Sequence, residues 1–246
     1  MRVRVIGSGD AFGSGGRFNT CFLVERGDRS ICLDFGATSL VAFKRAGLDP
    51  NTIAAIAISH LHGDHFGGLP FLILDAQMVA RRTRPLILFG PPGLQDRLQA
   101  AMEAFFPGSW TIERRFSLDI REIEPGARVE IPEIDAQLTT APVSHPSGAP
   151  ATALRLSCDG HTLAYSGDTS WVDTLPAIAA GADLFLIECY QPAPRGKHHL
   201  DWETLAPKLP SLAAKRVVLT HMSEAMLAEA ERLGLDAARD GMILEA

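Results

Sequence analysis

Four short apolar runs in this chain each stop at a residue able to bind a metal ion. AIAIS leads into His60, TTAPVS into His145, TLAYSG into Asp168 and RVVLT into His221. Short apolar runs bounded by turn residues read as buried strands. A fold that accepts this chain has to bring four strand ends to one rim, where rigid elements can hold a site. One histidine at such a place reads more simply as a satisfied core residue; four such endings together do not. The first run also continues as His60-Leu61-His62-Gly63-Asp64-His65. His60 and His62, two apart in an extended segment, face the same side. Gly63 permits a tight turn, which frees Asp64 and His65 to face a second ion. Imidazole nitrogens with carboxylate oxygens suit zinc, manganese or iron(II) better than calcium. Two groups of donors and a carboxylate able to bridge them describe a two-metal site.

The remaining pattern is that of an α/β chain. RVRVIGSG alternates and then turns, and NTCFLVERGDRSICLDFGA reads as a hairpin around RGDR. SLVAFKRAG has helical spacing and stops at Gly47. Residues 68–82 read as a helix with Pro70 in its first turn, RPLILFG as a strand and GLQDRLQAAMEAFF as an amphipathic helix. Further on, IDAQLTTAPVSH and ATALRLSCDGHTLAYSGD are strand-rich around a two-residue turn at CDGH. WVDTLPAIAAG is helical, ADLFLIE a strand, DWETLAPKLPSLAA helical and KRVVLTH a strand. A last helix follows, capped by Ser223 and ended by Gly234. Strands grouped in each half, with helices between and after, suggest two facing sheets with helices outside. Periodicity alone leaves a doubly wound sheet open.

Length and charge narrow the function. A chain of 246 residues suits one large domain, and 1–246 is read as a single domain. There is no membrane-spanning run and no signal-peptide pattern at MRVRVIGSGD. The four cysteines (Cys21, Cys32, Cys158, Cys189) lack CxxC spacing and read as buried and reduced, hence a cytoplasmic location. The formal charge of −6 without a strong basic cluster argues against nucleic acid as the main substrate. VARRTR at 79–84 reads as a solvated helix end. Ser8, Asp10, Phe12, Phe18 and Asn19, in or beside the glycine-rich GSGDAFGSGG, are candidates for the rim of the site.

HxHxDH followed by single His, Asp and His strand ends resembles the metallo-β-lactamase fold superfamily over the whole chain. The resemblance implies a four-layered αβ/βα sandwich, two mixed sheets flanked by helices, with the site at one edge. It implies that His60, His62 and His145 hold one metal, that Asp64, His65 and His221 hold the other, and that Asp168 bridges. GSGDAFGSGGRFNT, SGDT at Asp168, IECYQ and KHHLDWETL further resemble ribonuclease Z and its small phosphodiesterase relatives. In that branch a histidine ahead of the last ligand completes the site. His199 matches best, with His198 the alternative, and Glu188 is its carboxylate partner. The chain departs from the branch in reading His199-Leu200-Asp201 where ribonuclease Z has His-Ser-Thr. It also lacks the long tRNA-gripping arm between His145 and Asp168.

The expected activity is that of a dinuclear-metal hydrolase cleaving a small or cyclic phosphodiester with a metal-held hydroxide. Zinc is expected ahead of manganese or iron. Asp64 would orient the nucleophile, and His199, set by Glu188, would stabilise the transition state and protonate the leaving oxygen. Arg195 and Lys197 in RGKHH could meet a phosphate or simply be solvated. The resemblance also implies a homodimer. The same residues leave open a thioester, lactone or β-lactam hydrolase, ribonuclease Z-type tRNA processing, and a metal-dependent protein that binds a small molecule without turnover.

Overall fold

The structure, a computed structural model, describes residues 1–245. Ala246, the last residue of the domain expected from sequence, lies outside the described residues. The first sheet contains β1 (Arg2–Gly7), β2 (Cys21–Glu25), β3 (Ser30–Leu33), β4 (Ile53–Ala57), β5 (Leu86–Gly90), β6 (Leu118–Glu122) and β13 (Ile243–Glu245), in the order β13-β1-β2-β3-β4-β5-β6. The second contains β7 (Arg128–Ile131), β8 (Ala136–Pro142), β9 (Thr152–Cys158), β10 (His161–Tyr165), β11 (Leu184–Glu188) and β12 (Val217–Thr220), in the order β12-β11-β10-β9-β8-β7. Both sheets are mixed. β3 to β6 run parallel, as do β10, β11 and β12, while β1–β2–β3 and β7 to β10 are antiparallel.

Three apolar layers hold the sheets in place. Val3, Phe22, Leu33 and Ala57 of the first sheet meet Leu154, Tyr165, Leu186 and Val218 of the second in the central core, where Phe22 and Tyr165 pack edge to face with centroids 5.3 Å apart. The outer face of the first sheet (Leu23, Cys32, Ile56, Leu88) is covered by α1 (Ser39–Arg45), α3 (Leu69–Met78) and α4 (Leu94–Phe105). The outer face of the second (Ala164, Phe185, Ile187, Leu219) is covered by α5 (Thr174–Ala179), α6 (Trp202–Leu205) and α7 (Glu224–Leu233). Strands buried on both faces need apolar residues at every position, not every second one. LFLIE in β11 is buried throughout. The result is the expected four-layered αβ/βα sandwich.

Several local readings change. The helix expected over 68–82 ends at Met78. Val79 N and Ala80 N both turn back to the Asp75 carbonyl, and Arg81 takes a left-handed φ of 48°. The solvated helix end expected at 79–84 is not one at Arg82, which is buried. Its guanidinium donates to the carbonyls of Ile53 (2.7 Å), Pro85 (2.6 Å) and Arg84 (2.8 Å), tying the loop to the foot of β4. The helix expected from Asp201 onward is one α-turn followed by a 3-10 stretch, Ala206–Leu212, because Pro207 and Pro210 have no N–H to continue the ladder. Gly63 makes no left-handed turn; it opens the one-turn helix α2 (Gly63–Phe66). β6, β7 and β13 are strands beyond those expected from sequence. The turn at Asp159-Gly160 has φ of 52° and 76°, both positive as a two-residue hairpin requires. All four cysteines are buried and free, and among the described residues no helix is long and apolar enough to cross a membrane.

Candidate metal centre

β10, β11 and β12 lie side by side and parallel, so their C-terminal ends share one edge. Asp168 follows β10, Glu188 closes β11 and His221 follows β12. His145 follows β8 at the same edge. From the first sheet, Asp34 follows β3, His60 follows β4, and His62, Asp64 and His65 lie on the loop and turn of helix beyond. Gly36 lets that turn approach: a Cβ there would stand 2.1 Å from the Asp64 carbonyl oxygen.

The structure brings all seven candidate ligands together. The donor atoms of His60, His62 and His145 form one group within 4.8 Å of one another, and those of Asp64, His65, Asp168 and His221 form a second. In the first group His62 Nδ1 lies 3.0 Å from His145 Nε2. In the second, Asp64 Oδ2 is 3.4 Å from His65 Nε2 and 3.2 Å from His221 Nε2, and the two Nε2 atoms are 3.4 Å apart. Ligands about 2.0–2.1 Å from a tetrahedral ion stand roughly 3.3 Å from one another, which these spacings match. Asp168 faces both groups. Its Oδ1 is 3.3 Å from His65 Nε2, and its Oδ2 is 3.4 Å from His221 Nε2, 3.8 Å from His60 Nε2 and 3.9 Å from His145 Nε2. His60 Nε2 and Asp168 Oδ1 are buried without a hydrogen-bond partner, as is His221 Nδ1. Orphaned polar atoms of this kind are costly unless something binds them. The residues present therefore fit divalent cations.

The opposite ring nitrogens fix the tautomers. His65 Nδ1 donates to Asp34 Oδ2 at 2.7 Å, and His145 Nδ1 donates to the His198 carbonyl at 2.9 Å. The Ser59 hydroxyl donates to Asp34 Oδ2 (2.8 Å) and can accept from His60 Nδ1 (3.1 Å). In the neutral ring each arrangement puts the proton on Nδ1 and leaves Nε2 free toward the centre, the orientation that outer partners impose on metal-binding histidines. Asp34 and Tyr165 were not singled out from sequence. Asp34, fully buried, also accepts from Ser59 N (2.7 Å) and the Tyr165 hydroxyl (2.8 Å). The signal for Asp34 was available: SICL ends in Asp34 as the other runs end in their ligands.

Electrostatics divides the two groups. Burial lowers His60 and His62, and holds His145 at about 4. Burial would lower His65 and His221 as well, but Asp168 and Asp64 beside them outweigh it and raise both. Burial opposes ionisation of Asp64 and Asp168, yet the surrounding histidines hold both below the usual carboxylate range.

His199 lies against this centre. Its ring stacks on His221 at 5.6 Å and 13°, and packs on Tyr190 at 4.8 Å. Its Nδ1 is 3.1 Å from Glu188 Oε2. Glu188 is fully buried and also accepts from Thr169 N. Burial, then Asp168, raise the Glu188 carboxyl, and burial lowers the His199 imidazole. The His198 side chain is exposed, and its carbonyl is what faces the centre; Arg195 and Lys197 are exposed too. A cavity of about 460 Å³ opens over the centre, lined by Asp10, Ala11, Phe12, Gly63, Tyr190 and His199 among others. Of the rim candidates, Asp10 and Phe12 line it. Ser8 and Asn19 support it from behind: the Ser8 carbonyl accepts from His221 N, and Asn19 Nδ2 donates to the Asp10 carbonyl. Phe18 lies elsewhere, under Arg45.

The family described as "Anti-Pycsar protein Apyc1" matches residues 1–238. A ribonuclease Z from Methanothermobacter thermautotrophicus is 31% identical over 145 residues, 59% of this chain and 45% of that protein. A ribonuclease Z from Mycobacterium bovis is 26% identical over 196 residues, 74% of this chain and 68% of that protein. The match thus spans less than half the length of the first of these relatives. The crystal structure of the metallo-β-lactamase fold protein YhfI from Bacillus subtilis superposes with a TM-score of 0.80 at 21% identity, covering 100% of this chain and 98% of that one. The fold is that of the metallo-β-lactamases.

Proposed function

The chain belongs to the anti-Pycsar protein Apyc1 family, and from that premise we propose that it is a dinuclear-metal phosphodiesterase acting on small phosphodiesters, cyclic ones included. His60, His62 and His145 would hold one ion, Asp64, His65 and His221 the other, and Asp168 both. A pair of divalent cations supplies an activated water at neutral pH and takes up charge on the phosphoryl oxygens. Zinc is the first choice for these donors, with manganese and iron(II) next. Asp64, held ionised, would accept a proton or hydrogen bond from the attacking water.

The observation that carries the reading is the Glu188–His199 pair. Two shifts in opposite directions keep His199 neutral in a setting where a charged imidazolium would be expensive. With Nδ1 engaged by Glu188, Nε2 is the ring atom available to the cavity. With the raised Glu188 carboxyl keeping its proton and donating to Nδ1, Nε2–H can donate to a phosphoryl oxygen, and as it passes its proton to the departing alkoxide, a poor leaving group that needs one, Nδ1 takes the Glu188 proton. Thioester, lactone or β-lactam cleavage places no comparable demand on a histidine at this position. Asp10 and Tyr190 line a cavity of about 460 Å³, a size that suits a small substrate. The hairpin β9–β10 occupies the stretch between His145 and Asp168, leaving no room for an arm that grips a large RNA. A cytoplasmic homodimer belongs to the same reading.

The test is hydrolysis of bis(p-nitrophenyl) phosphate by zinc- and manganese-loaded protein, with His199→Ala alongside. Turnover falling about 10²–10⁴-fold in the variant, with metal content retained, is the expected result. Unchanged turnover would remove His199 from its role. No turnover by fully loaded protein would overturn the phosphodiesterase reading and move the search to thioesters, lactones and non-hydrolytic binding. Because its relatives include proteins named ribonuclease Z, a precursor tRNA belongs in the substrate panel, and faster cleavage of it than of any small diester would overturn the small-substrate choice.

A further inference from the structure

His221 takes a left-handed φ of 55°. That region is costly for any residue with a Cβ and persists only where surrounding contacts impose it. The contact that imposes it here comes from the other sheet. His221 N, just past β12, donates to the carbonyl of Ser8, just past β1, at 3.1 Å. Ser8 is fully buried and is held in turn by Asp240. Asp240 Oδ1 accepts from Ser8 N (2.9 Å) and from the Ser8 hydroxyl (2.8 Å), and its Oδ2 accepts from Phe18 N (2.8 Å). The Arg17 guanidinium joins them, donating to the Ala238 carbonyl (2.6 Å) and the Ser8 hydroxyl (3.2 Å). The segment that carries Asp240 is fixed to both sheets. Leu219 N donates to the Asp236 carbonyl (2.9 Å), Ala238 N to the Leu219 carbonyl (2.8 Å) and Gly241 N to the Val5 carbonyl (2.8 Å). Residues 236–241 thus bracket β12 and β1 and reach His221 through Ser8.

We propose that Asp240 is a positioning residue for the metal centre: through Ser8 it holds the His221 backbone in the strained conformation that turns this imidazole toward Asp64, Asp168 and His65. The C-terminal segment thereby sets the affinity of the Asp64–His65–His221 position. The inference rests on the dinuclear reading above and adds a residue that is neither a candidate ligand nor part of the cavity wall. Asp240 is half-buried, so donors released by its removal can find water. What is lost is the register of the Ser8 carbonyl against His221 N. His60, His62 and His145 have no hydrogen bond to Ser8 or Asp240 among the described residues, so their geometry stays. Loss of an outer partner costs about 10–100-fold in metal affinity, and a partner acting through one further residue belongs at the lower end.

The experiment measures zinc affinity of the full-length protein by competition against a chromogenic chelator, beside the melting temperature of the metal-free protein. Asp240→Ala is expected to weaken one ion about tenfold and to leave the other within about threefold. Asp240→Asn keeps an oxygen for the two Ser8 donors and gives up only the Phe18 bond. It is expected to bring the weakened ion back to within about threefold of the parent, a rescue that general loosening would not give. Glu224→Ala removes a different carboxylate that fastens the same loop, at Gly15 N (2.7 Å), and is expected to leave both ions unchanged. In a His221→Ala background, Asp240→Ala is expected to add no further loss, because the two act on one position. Both ions held with parent affinity in Asp240→Ala overturn the proposal. So do both ions weakened equally, absence of rescue by asparagine, the same weakening in Glu224→Ala, or a further loss in the His221→Ala background. Should Asp240→Ala fail to fold without metal, Ser8→Ala takes its place, since it removes one of the two bonds to Asp240 and keeps the backbone. One weakened ion is then expected, and unchanged affinity overturns the proposal. A parent protein that binds fewer than two zinc ions overturns the dinuclear reading and this proposal together, whereas two ions in the parent untouched by Asp240→Ala overturn this proposal alone.

Discussion

Replacing Asp34 with asparagine changes one atom that is no candidate ligand itself but is hydrogen-bonded to one, His65, and it should weaken one metal position selectively. Asp34 uses both oxygens: Oδ1 accepts from Ser59 N, and Oδ2 accepts from the Ser59 hydroxyl, Tyr165 hydroxyl and His65 Nδ1, all between 2.7 and 2.8 Å. Alanine would leave four buried donors unpartnered. At about 1–3 kcal/mol each, that loss rivals the roughly 5–15 kcal/mol stability of a whole domain and would confuse folding with binding. Asparagine keeps the shape and the acceptor for Ser59 N, while its NH2 takes the place of Oδ2. The two hydroxyls can rotate and accept. His65 cannot keep a proton on Nδ1 facing an N–H donor, so its proton moves to Nε2, the atom that faces Asp64, Asp168 and His221. Loss of an outer partner of this kind costs about 10–100-fold in metal affinity, or roughly 1.4–2.7 kcal/mol. Competition against a chromogenic chelator, with metal content and the melting temperature of metal-free protein, reads the effect. The expected result is one ion weakened by that factor, the other held within about threefold, and a small change in metal-free stability. Both ions held with parent affinity would refute the tautomer argument.

Other predictions are simpler. Asp168→Ala, which removes the carboxylate facing both groups, should lose most bound metal from both positions; two tightly held ions by elemental analysis would refute the bridging role. Acidification should empty the positions in order. His65 and His221 have raised values, so protons compete for them while the pH is still above the ordinary 6.5, whereas His145 stays neutral down to about 4. Between those limits the protein should retain one ion, at the His60–His62–His145 group, and simultaneous loss of both in a dialysis series would contradict this. Gly36→Ala sets a methyl against the Asp64 carbonyl, and overpacking of this kind costs about 1–3 kcal/mol or more; an unchanged melting temperature and metal content would show that the turn carrying Asp64 can move aside.

The candidate ligands were legible in the chain because their signal is local. A short apolar run ending in His or Asp is visible within eight residues, and HLHGDH is dense enough to stand out alone. The layering was legible too, since β4, β5 and β11 (up to its closing Glu188) carry no alternating polar residues. Asp34 carried the same local signal but, standing alone after one strand, read like any turn aspartate. Arg82 misled, because the same three basic residues describe a solvated helix end or a cation pulled inward, and only the carbonyls of Ile53, Arg84 and Pro85 decide which.

His198 and His199 show where sequence stops. They are adjacent and chemically identical, and no periodicity separates side chains in an irregular loop. In the fold, one side chain meets Glu188 while the other is left outside with only its carbonyl turned to His145. The residue types at the centre and the strand ends that present them were written in the sequence. Which nitrogen carries a proton, which carboxylate is ionised and which histidine faces the cavity were decided by tertiary structure. Those properties depend on hydrogen-bond partners and charges distant along the chain, such as Asp34 for His65, Glu188 for His199 and Asp64 for His221, which meet only in the folded protein.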